Sequence, residues 1–571
     1  MSNWVARILG RWPNRAAIEP AAGSVAEPGP APIERDAQGE LARGIELFDA
    51  GQYERAAECF EAAVELAHDW ADAHYHLGLA QHRRGRFEDA CDAFAMALCF
   101  APEMARAHFA LALAERKLGK RDAALASVAR AIHFGQDTAE AHNLKGALLL
   151  EMGDVGGAVT SFEHAIAADP ENAAAHSNLG YVLFRDCGDY EGGAQHIERA
   201  LELDPANLDC LCNYTMVLSH RGEHERALAL CDRLLSAQPE LHEARLNRAL
   251  IGLKLGRFES GWDDYESRKS VRCNYVARDL PWPEWRGESL AGKTILIHGE
   301  QGIGDEIMFA SCFPELVEQA GHCVIECAPS LERLFRRSFP AASVFAGEQS
   351  VARLSWLTSA PAIDVQISAG SIPLHVRRSR AAFPSHHGYL APDPGRIAHW
   401  RDRLATLGPG LKVGISWRGG MQSTRRSLRS IELGAWAPLL RTPNARFVSV
   451  QYGDTGEERA RLVLAHGLEL QCWQDAIDDM DETAALVSAL DLVVSVCTAV
   501  IHLAGALGRS VWILVPTSPE WRYQAAGVSM PWYPSATMIR QQTAGDWRPE
   551  IAEAVRRLRD FACDVEGDRA R

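Results

Sequence analysis

A pattern that recurs about every 34 residues constrains the fold of this chain more than any other feature of its sequence. Glycines recur at one position of the repeat and alanines at another: Gly44, Gly78, Gly146 and Gly180, and Ala56, Ala90, Ala124 and Ala158. An apolar residue follows each alanine by four positions, and prolines close several repeats: Phe60, Phe94, Val128 and Phe162, and Pro102, Pro170, Pro205 and Pro239. Small residues at a fixed spacing allow two helices to cross closely, and such a helix pair buries its apolar face only against neighbouring pairs. The pattern therefore predicts a solenoid of stacked helix pairs.

The repeat resembles the tetratricopeptide motif, which combines small residues at helix crossings with an aromatic residue and a closing proline. Seven repeats fit between residues 37 and 272, and the fifth has one extra residue near Cys187. In the last repeat, Gly256–Arg268, a glycine replaces the small alanine and Trp262 is added, as expected of a repeat that caps a solenoid. Residues 15–36 are rich in Ala, Pro and Gly without hydrophobic periodicity, which predicts a flexible leader over residues 1–36.

Two polar residue types also recur in register along the repeats. Asparagines occupy one position, at Asn178, Asn213 and Asn247, and histidines occupy another, at His74, His108, His142 and His176. An asparagine offers both a donor and an acceptor, so a stack of them on the inner face could bind a peptide backbone. Asparagine is also common as a plain helix-surface residue in such repeats, and both interpretations stay open. The histidines stand where a packing aromatic is usual, so we expect them to pack and not to bind metal.

The charge and cysteine content restrict the class of protein. The net charge of −16 argues against a nucleic-acid or anionic-membrane surface, because phosphate binding needs a basic face. No apolar run is long enough for a secretory signal or a membrane span. The 14 cysteines are scattered without zinc-like spacing, which favours reduced thiols. We therefore expect a cytoplasmic protein without a bound metal.

The 34-residue period stops near residue 273, and short apolar strands then alternate with helices. The first run includes TILIHG and HCVIECA, and the second includes KVGISW, DLVVSV and SVWILVP. A loop rich in Gly, Pro and His, Ser385–Gly395, lies between the two runs. This rhythm predicts two Rossmann-like parallel sheets, over residues 273–395 and 396–555, whose strands point their carboxyl ends at a ligand cleft. Residues 556–571 form a charged tail.

The first candidate site is the loop Gly299–Glu306, with the sequence GEQGIGDE, between a strand and a helix. Gly302 and Gly304 permit a tight turn, and the helix start offers free N–H groups to an anion. Asp305 falls at or near the start of the helix, where it could be functional or could simply cap the helix. The loop lacks the third glycine and the later acidic residue of a dinucleotide-binding fingerprint, so we do not expect a hydride-transfer enzyme.

Two further motifs follow strands of the second run. The first, Ser416–Gly420, contains Trp417 and Arg418, with Arg425, Arg426 and Arg429 close behind. A cluster of guanidinium groups in an acidic protein suggests a phosphate clamp, with Arg418 as its first member.

The last motif, Val493–Pro516, reads as a strand, a tight turn, a helix and a strand. Thr498 follows Cys497 and is a natural N-cap, so the helix that it begins could bind a phosphate. His502 lies one turn later on the same helix face, and Arg522 follows the second strand. Aromatic residues near Arg522, Trp521 and Trp532, could stack on a base or sugar or pack a domain junction.

From about residue 37 to 550, the chain resembles bacterial glycosyltransferases of GT-B type that carry tetratricopeptide repeats. Its sheet-forming halves are similar to ADP-heptose:LPS heptosyltransferases, and its layout resembles O-GlcNAc transferase. The most specific stretch is CTAVIHLAGALGRSVWILVP, where the family usually has D-T-A-x-x-H-L-A-G-A-L-G. The resemblance implies an N-terminal α-solenoid followed by a GT-B pair of Rossmann-like domains.

The resemblance also implies roles for individual residues. Asp305 would be the general base, and the donor would contact Gly302, Gly304, Trp417, Arg418, Cys497, Thr498, His502 and Arg522. The asparagine ladder of O-GlcNAc transferase would correspond to Asn178, Asn213 and Asn247. Cys497 stands where the family usually has Asp, which is compatible with a different donor or with a lost activity.

The sequence thus predicts transfer of a sugar from a nucleotide-sugar donor to a protein acceptor bound by the repeats. Flagellin is an acceptor by analogy, and the reaction needs no cofactor or metal. Two alternatives stay open. One is an interaction or adaptor protein whose glycosyltransferase domain is inactive, and the other is a transferase that acts on a lipid or polysaccharide acceptor.

Overall fold

The computed structural model describes residues 32–271, 278, 280–347, 356, 360–420 and 425–569. Most of the predicted leader, residues 1–31, lies outside this part of the chain, and the first helix begins at Pro32. Proline suits the first turn of a helix because its missing N–H has no partner there. The chain divides into two compact units, one up to Asn213 and the other from Tyr214 onward. Helices of the last two predicted repeats therefore belong to the second unit.

Residues 32–265 form consecutive helix pairs, which agrees with the predicted solenoid. The seven pairs are Pro32–Asp49 and Tyr53–Leu66, Ala71–Arg83 and Phe87–Phe100, Ala105–Lys117 and Arg121–His133, Ala139–Glu151 and Val155–Ala168, Ala173–Val182 and Tyr190–Leu203, Leu208–His220 and His224–Ala237, and His242–Lys254 and Phe258–Tyr265. In the fifth pair a π-helical segment, Leu183–Cys187, lies between the two α-helices. A π turn holds one more residue than an α turn, so this segment accommodates the extra residue near Cys187.

Direct packing explains the recurring glycines. The aromatic residue of the second helix lies where a side chain on the glycine would stand. An added Cβ would lie 2.4, 2.5 and 2.6 Å from the ring in the pairs Gly44–Phe60, Gly78–Phe94 and Gly146–Phe162. Carbon atoms in contact stay about 3.5–4.0 Å apart, so only glycine permits this approach.

The recurring histidines pack against aromatic rings in two of the repeats. His74 stacks on Phe100 and His108 on Phe134, with ring centroids 5.6 and 5.4 Å apart. No group of acidic, histidine or cysteine residues within the described part of the chain could hold a metal ion.

The second unit contains a four-stranded parallel sheet. Its strands are β1 (Thr294–His298), β2 (His322–Cys327), β3 (Ser343–Ala346) and β4 (Val365–Ser368). The order across the sheet is β3-β2-β1-β4. The buried strands carry continuous apolar runs, as is usual for a parallel sheet with both faces covered.

A seven-stranded sheet follows. Its strands are β5 (Leu411–Ser416), β6 (Ala445–Ser449), β7 (Gln471–Cys472), β8 (Leu492–Val496), β9 (Val511–Val515), β10 (Ser529–Met530) and β11 (Tyr533–Arg540). The order is β10-β11-β9-β8-β5-β6-β7, and only the β10–β11 pair is antiparallel. The fold is thus a helical solenoid followed by a region with parallel sheets.

The helices of the sheet region are mostly short. They are Ile303–Phe309, Phe313–Gln319, Glu332–Ser338, Pro373–Val376, Pro394–Ala405, Ala437–Leu440, Gly456–His466, Gln474–Ile477, Met480–Ala489, Ala499–Ala506 and Arg548–Arg569. The last helix includes most of the predicted charged tail, and its Leu558 is fully buried in the core of the seven-stranded sheet. No helix of the described residues is long and apolar enough to cross a membrane.

The last helix pair packs into the core of the four-stranded sheet. The buried indole of Trp262 donates a hydrogen bond to the carbonyl oxygen of Arg377 (2.9 Å). Arg268, which follows the pair, is 2% exposed and forms an ion pair of 2.9 Å with Glu300, which is 1% exposed. Through these buried contacts, Trp262 and Arg268 are part of the core of the sheet region. Removing Arg268 would leave the charge of Glu300 buried without its partner, which is costly.

Candidate functional site

The helix Ala499–Ala506 begins at the carboxyl end of β8, beside β5. The next two strands along the chain after β5, β6 and β7, lie on its other side. The strand order therefore reverses between β5 and β8, which is where open parallel sheets bind ligands. Thr498 is the N-cap, and its hydroxyl accepts a hydrogen bond from the N–H of Val500 (3.3 Å). The first turn of the helix therefore presents its positive end at the sheet edge.

Arg429 is the guanidinium that lies beside this helix start. Its Nη1 donates to the carbonyl oxygen of Cys497 (3.2 Å) and lies 3.3 Å from the carboxylate of Glu520. Gly419 makes room for it, since a Cβ there would lie 2.7 Å from the Cγ of Arg429.

Arg418, the first member of the predicted phosphate clamp, has partners of its own. Its Nε lies 3.2 Å from Glu458, and its Nη2 donates to the carbonyl oxygen of Asp454 (2.6 Å). Trp417 is fully buried, and its indole donates to the other oxygen of Glu458 (3.1 Å). The structure thus has Trp417 in the core, where it orients Glu458 and, through it, Arg418.

Asp305 comes from the other sheet, in the loop and helix that follow β1. The helix Ile303–Phe309 has Gly302 as its N-cap, so Asp305 is its third residue and not its cap. Nη2 of Arg522, from the loop after β9, lies 2.9 Å from Oδ1 of Asp305. Residues that follow strands of the two different sheets therefore meet in one ion pair.

Gly304 allows the two helices to approach. A Cβ on Gly304 would lie 3.3 Å from Cδ2 of His502 and 3.5 Å from Cα of Ala499. At Gly302 an added Cβ would meet only a carboxylate oxygen of Asp305, at 3.7 Å. Gly304, and not Gly302, is therefore the glycine that the close approach requires.

His502 lies inside this helix contact and is 2% exposed. Its Nδ1 is 3.0 Å from the hydroxyl oxygen of Tyr533, which is fully buried. Burial, and then the positive charges of Arg522 and Arg429, lower the pKa of His502 well below its ordinary value. The imidazole is therefore neutral at neutral pH and supports the helix from within.

Asp305, Arg429, Glu520 and Arg522 form what we call the charged cluster. Burial raises the pKa of Asp305, and the neighbouring Arg522 offsets part of that rise. Burial acts in the same direction on Glu520, but Arg522, Arg429 and further cations outweigh it and lower the pKa of this carboxyl. The cluster thus holds one carboxyl with a lowered pKa, Glu520, and one with a raised pKa, Asp305.

Cys497 is 1% exposed, and burial raises the pKa of its thiol to about 12. A thiol with this pKa is neutral, so the position adds no negative charge next to the helix start. None of the cysteines in the described part of the chain forms a disulfide.

Comparison with known proteins gives a family for the chain. The family model described as tetratricopeptide repeat matches residues 41–104 and 143–207. The Protein FlbA from Caulobacter vibrioides is 36% identical over 403 residues, which are 68% of this chain and 67% of the relative. The chain belongs to the FlbA family.

Some solved structures also match the chain, at low overall similarity. PilF from Pseudomonas aeruginosa has 16% sequence identity and a TM-score of 0.35, and the match covers 38% of this chain and 98% of PilF. A tetratricopeptide repeat protein from Parabacteroides merdae has 17% identity and a TM-score of 0.36, over 42% of this chain and 94% of the other. The tetratricopeptide prediction is confirmed by the family model.

In this member of the family, the asparagines at the fixed repeat position bond to the preceding repeat. In the first unit, Asn178 donates to Asn143 (2.8 Å) and Asn213 donates to Ser177 (3.3 Å). In the second unit, Asn247 donates to Thr215 (2.9 Å). The amide nitrogens thus link adjacent repeats.

The sequence motifs did not point to Glu520, which bridges Arg429 and Arg522 of the charged cluster. They pointed to Arg429 only as a neighbour of Arg418 in the predicted phosphate clamp. Glu520 stands in PEWRY beside Arg522, and an acidic residue next to an arginine after a strand is a signal that could have been used. The roles predicted for Asp305, Arg418, Thr498 and the asparagines remain predictions.

Proposed function

We propose that this protein is a glycosyltransferase of GT-B type that moves a sugar from a nucleotide-sugar donor to a protein acceptor. The observation that carries the proposal is the ion pair between Asp305, after β1, and Arg522, after β9. It brings a candidate base from one sheet next to a cationic helix start of the other, which is the arrangement that a two-sheet transferase needs. Counted from β5, the strands of the second sheet also follow the doubly wound order, which favours a nucleotide-binding half.

In the proposed reaction, an acceptor oxygen attacks the anomeric carbon of the donor sugar, and the bond from that carbon to the phosphate oxygen breaks. The acceptor proton passes to Asp305, whose pKa burial raises. The charge that develops on the leaving nucleotide is neutralised by Arg429 and by the helix start at Thr498. Every group in this scheme belongs to the chain or to its two substrates.

On the acceptor side, we propose that the repeats bind an extended segment of a protein, with flagellin as the candidate acceptor by analogy. The amide nitrogens of Asn178 and Asn213 already donate to neighbouring repeats, so their carbonyl oxygens are the groups left to accept from a peptide N–H. Such a contact recognises a backbone and not a particular sequence.

A specific observation favours a second candidate function, an adaptor without transferase activity. Arg522 forms an ion pair with Asp305, the candidate base. Cys497 also stands at the position where the heptosyltransferase-like family usually has an aspartate. Nucleotide binding separates the two functions. An adaptor would show no change in unfolding temperature with UDP, ADP, GDP or CMP, whereas a transferase would be stabilised by at least one of them, since a ligand that binds only the folded state stabilises it.

The decisive test measures the intact mass of flagellin purified from cells that carry the wild-type protein or Asp305→Asn. We expect a glycan mass on flagellin with the wild type and at least a hundredfold less with the variant, because general bases contribute about 10²–10⁴-fold. Asp402→Asn, at an exposed carboxylate, is the matched control and should retain the full mass shift. An undiminished glycan mass with Asp305→Asn would exclude Asp305 as the base.

A further inference from the structure

Lys254, the last residue of the helix His242–Lys254, is buried next to the charged cluster. Its side chain is 6% exposed, and its carbonyl oxygen accepts a hydrogen bond from the N–H of Ala525 (2.8 Å). This bond joins the end of the repeat helix to the segment that carries Arg522. The ammonium of Lys254 forms no ion pair and no hydrogen bond with any residue that the structure describes.

The charges that face Lys254 come from three directions. Glu520, in the loop after β9, attracts the ammonium, and Arg425, after β5, repels it. His220 and His224, on the preceding pair of repeat helices, also sense its charge, but burial lowers the pKa of both, to about 4 for His220. Neither imidazole therefore carries charge at neutral pH, and neither compensates or opposes the ammonium.

Burial and then Arg425 lower the pKa of Lys254 to about 7. An unpaired ammonium is costly to bury, and proteins keep such groups mainly where they bind or react. The position therefore calls for an anionic partner that is absent from the folded chain itself.

Charge balance indicates what that partner carries. Four cations act on Glu520, namely Lys254, Arg425, Arg429 and Arg522. Within the charged cluster, Glu520 and Asp305 balance Arg429 and Arg522, and Lys254 and Arg425 add two further positive charges near Glu520. The side chains of Arg429 and Arg522 remain 11% and 15% exposed, so a ligand can reach them.

We propose that Lys254 is a ligand-binding residue and that, with Arg429 and Arg522, it holds a ligand bearing two anionic groups. Two phosphates meet this requirement, and so do one phosphate and one carboxylate. The inference rests on the proposed function in one respect, because such a pair of anionic groups would belong to the nucleotide-sugar donor. A residue of the last repeat thus contributes directly to the donor site.

Isothermal titration of the full chain tests the inference. The probes are inorganic phosphate, pyrophosphate and phosphonoacetate, and then UDP-, ADP- and GDP-linked hexoses and a CMP-linked acidic sugar. We expect pyrophosphate or phosphonoacetate to bind more tightly than phosphate, and the preferred one tells a diphosphate from a phosphate–carboxylate ligand. Lys254→Gln should weaken that binding about tenfold or more, since a lost charged hydrogen bond has this effect.

Two variants serve as controls. Lys120→Gln, at an exposed lysine of the first unit, should bind as the wild type does. Lys254→Arg keeps the positive charge and should retain most of the affinity. Lys254→Gln removes an unpaired buried charge, so its unfolding temperature should not fall and weaker binding cannot be attributed to misfolding.

Equal affinity of Lys254→Gln and the wild type for every probe would overturn the inference, as would the absence of binding or an equal affinity for phosphate and pyrophosphate. Binding that depends on Lys254 without any sugar transfer would contradict the proposed function alone. Sugar transfer with an unchanged KM for the donor in Lys254→Gln would contradict the inference alone.

Discussion

Arg522 and Asp305 show how a single contact controls the chemistry of this site. Burial raises the pKa of Asp305, and Arg522 counteracts it by favouring the ionised carboxylate. An anionic ligand that draws Arg522 away would leave Asp305 buried without its neutralising partner, and its basicity would rise. In the proposed reaction, the base would therefore become strongest after the donor has bound.

The lowered pKa of Lys254 predicts how the free energy of unfolding depends on pH. Its pKa is 10.5 in an exposed state and about 7 in the folded protein. Between these two values Lys254 binds more protons in the unfolded chain than in the folded one, so the contribution of this lysine to the free energy of unfolding rises with pH across the range. We expect Lys254→Met to be more stable than the wild type by a few kcal/mol below pH 7, since each pKa unit corresponds to about 1.4 kcal/mol.

This difference should shrink as the pH rises from about 7 towards 10.5, because the wild-type lysine then loses its charge on its own. Urea unfolding at several pH values measures it. A stability difference that is constant with pH would mean that Lys254 keeps its charge in the folded protein.

At the scale of elements, the site depends on the contact between the helices Ile303–Phe309 and Ala499–Ala506. Each follows a strand of a different sheet, and each is too short to be stable by itself. Their packing against each other at Gly304 and His502 therefore stabilises both helices and holds Asp305 in the charged cluster.

Replacing Gly304 or Gly302 by serine, one at a time, tests this contact. Gly304→Ser adds a side chain 3.3 Å from His502 and should lower the free energy of unfolding by about 1–3 kcal/mol through overpacking. Gly302→Ser is the matched control, since its Cβ has space and serine is a favoured N-cap. Urea unfolding followed by tryptophan fluorescence compares them, and equal stabilities would show that the helix contact tolerates a side chain.

At the scale of the whole molecule, the boundary between repeats and sheets is not a boundary between independent domains. The pairs Leu208–His220 with His224–Ala237 and His242–Lys254 with Phe258–Tyr265 continue the repeat pattern, but from Tyr214 onward they belong to the unit of the sheets. Trp262 packs in the core of the four-stranded sheet, and Arg268 neutralises the buried carboxylate of Glu300 there.

Two truncations test this boundary. A chain that begins at residue 208 keeps the last two helix pairs and should unfold cooperatively. A chain that begins at residue 273 leaves Glu300 buried without Arg268, and breaking a buried pair costs about 3–5 kcal/mol. We expect this shorter chain to lose its near-ultraviolet circular dichroism and to bind a hydrophobic dye. Cooperative unfolding of both chains would show that the sheets fold without the repeats.

Local sequence patterns are enough to predict the repeats, the change to alternating strands and helices, and the loops that carry polar residues. These features have local causes: a 34-residue period, buried apolar strands, and glycines or a capping threonine at strand ends. The repeat spacing also shows the extra residue near Cys187, which the π-helical segment Leu183–Cys187 accommodates.

Which polar residues contact each other follows from the packing of the elements and not from these local patterns. In the structure, Asp305 forms an ion pair with Arg522, and Lys254 is buried near this pair. Arg429, and not Arg418, lies at the helix start at Thr498. These residues lie far apart in the sequence, and their ion pairs depend on how strand ends of two sheets and a repeat helix come together. Local periodicity carries no information on such contacts, because it fixes the face of an element and not its neighbour.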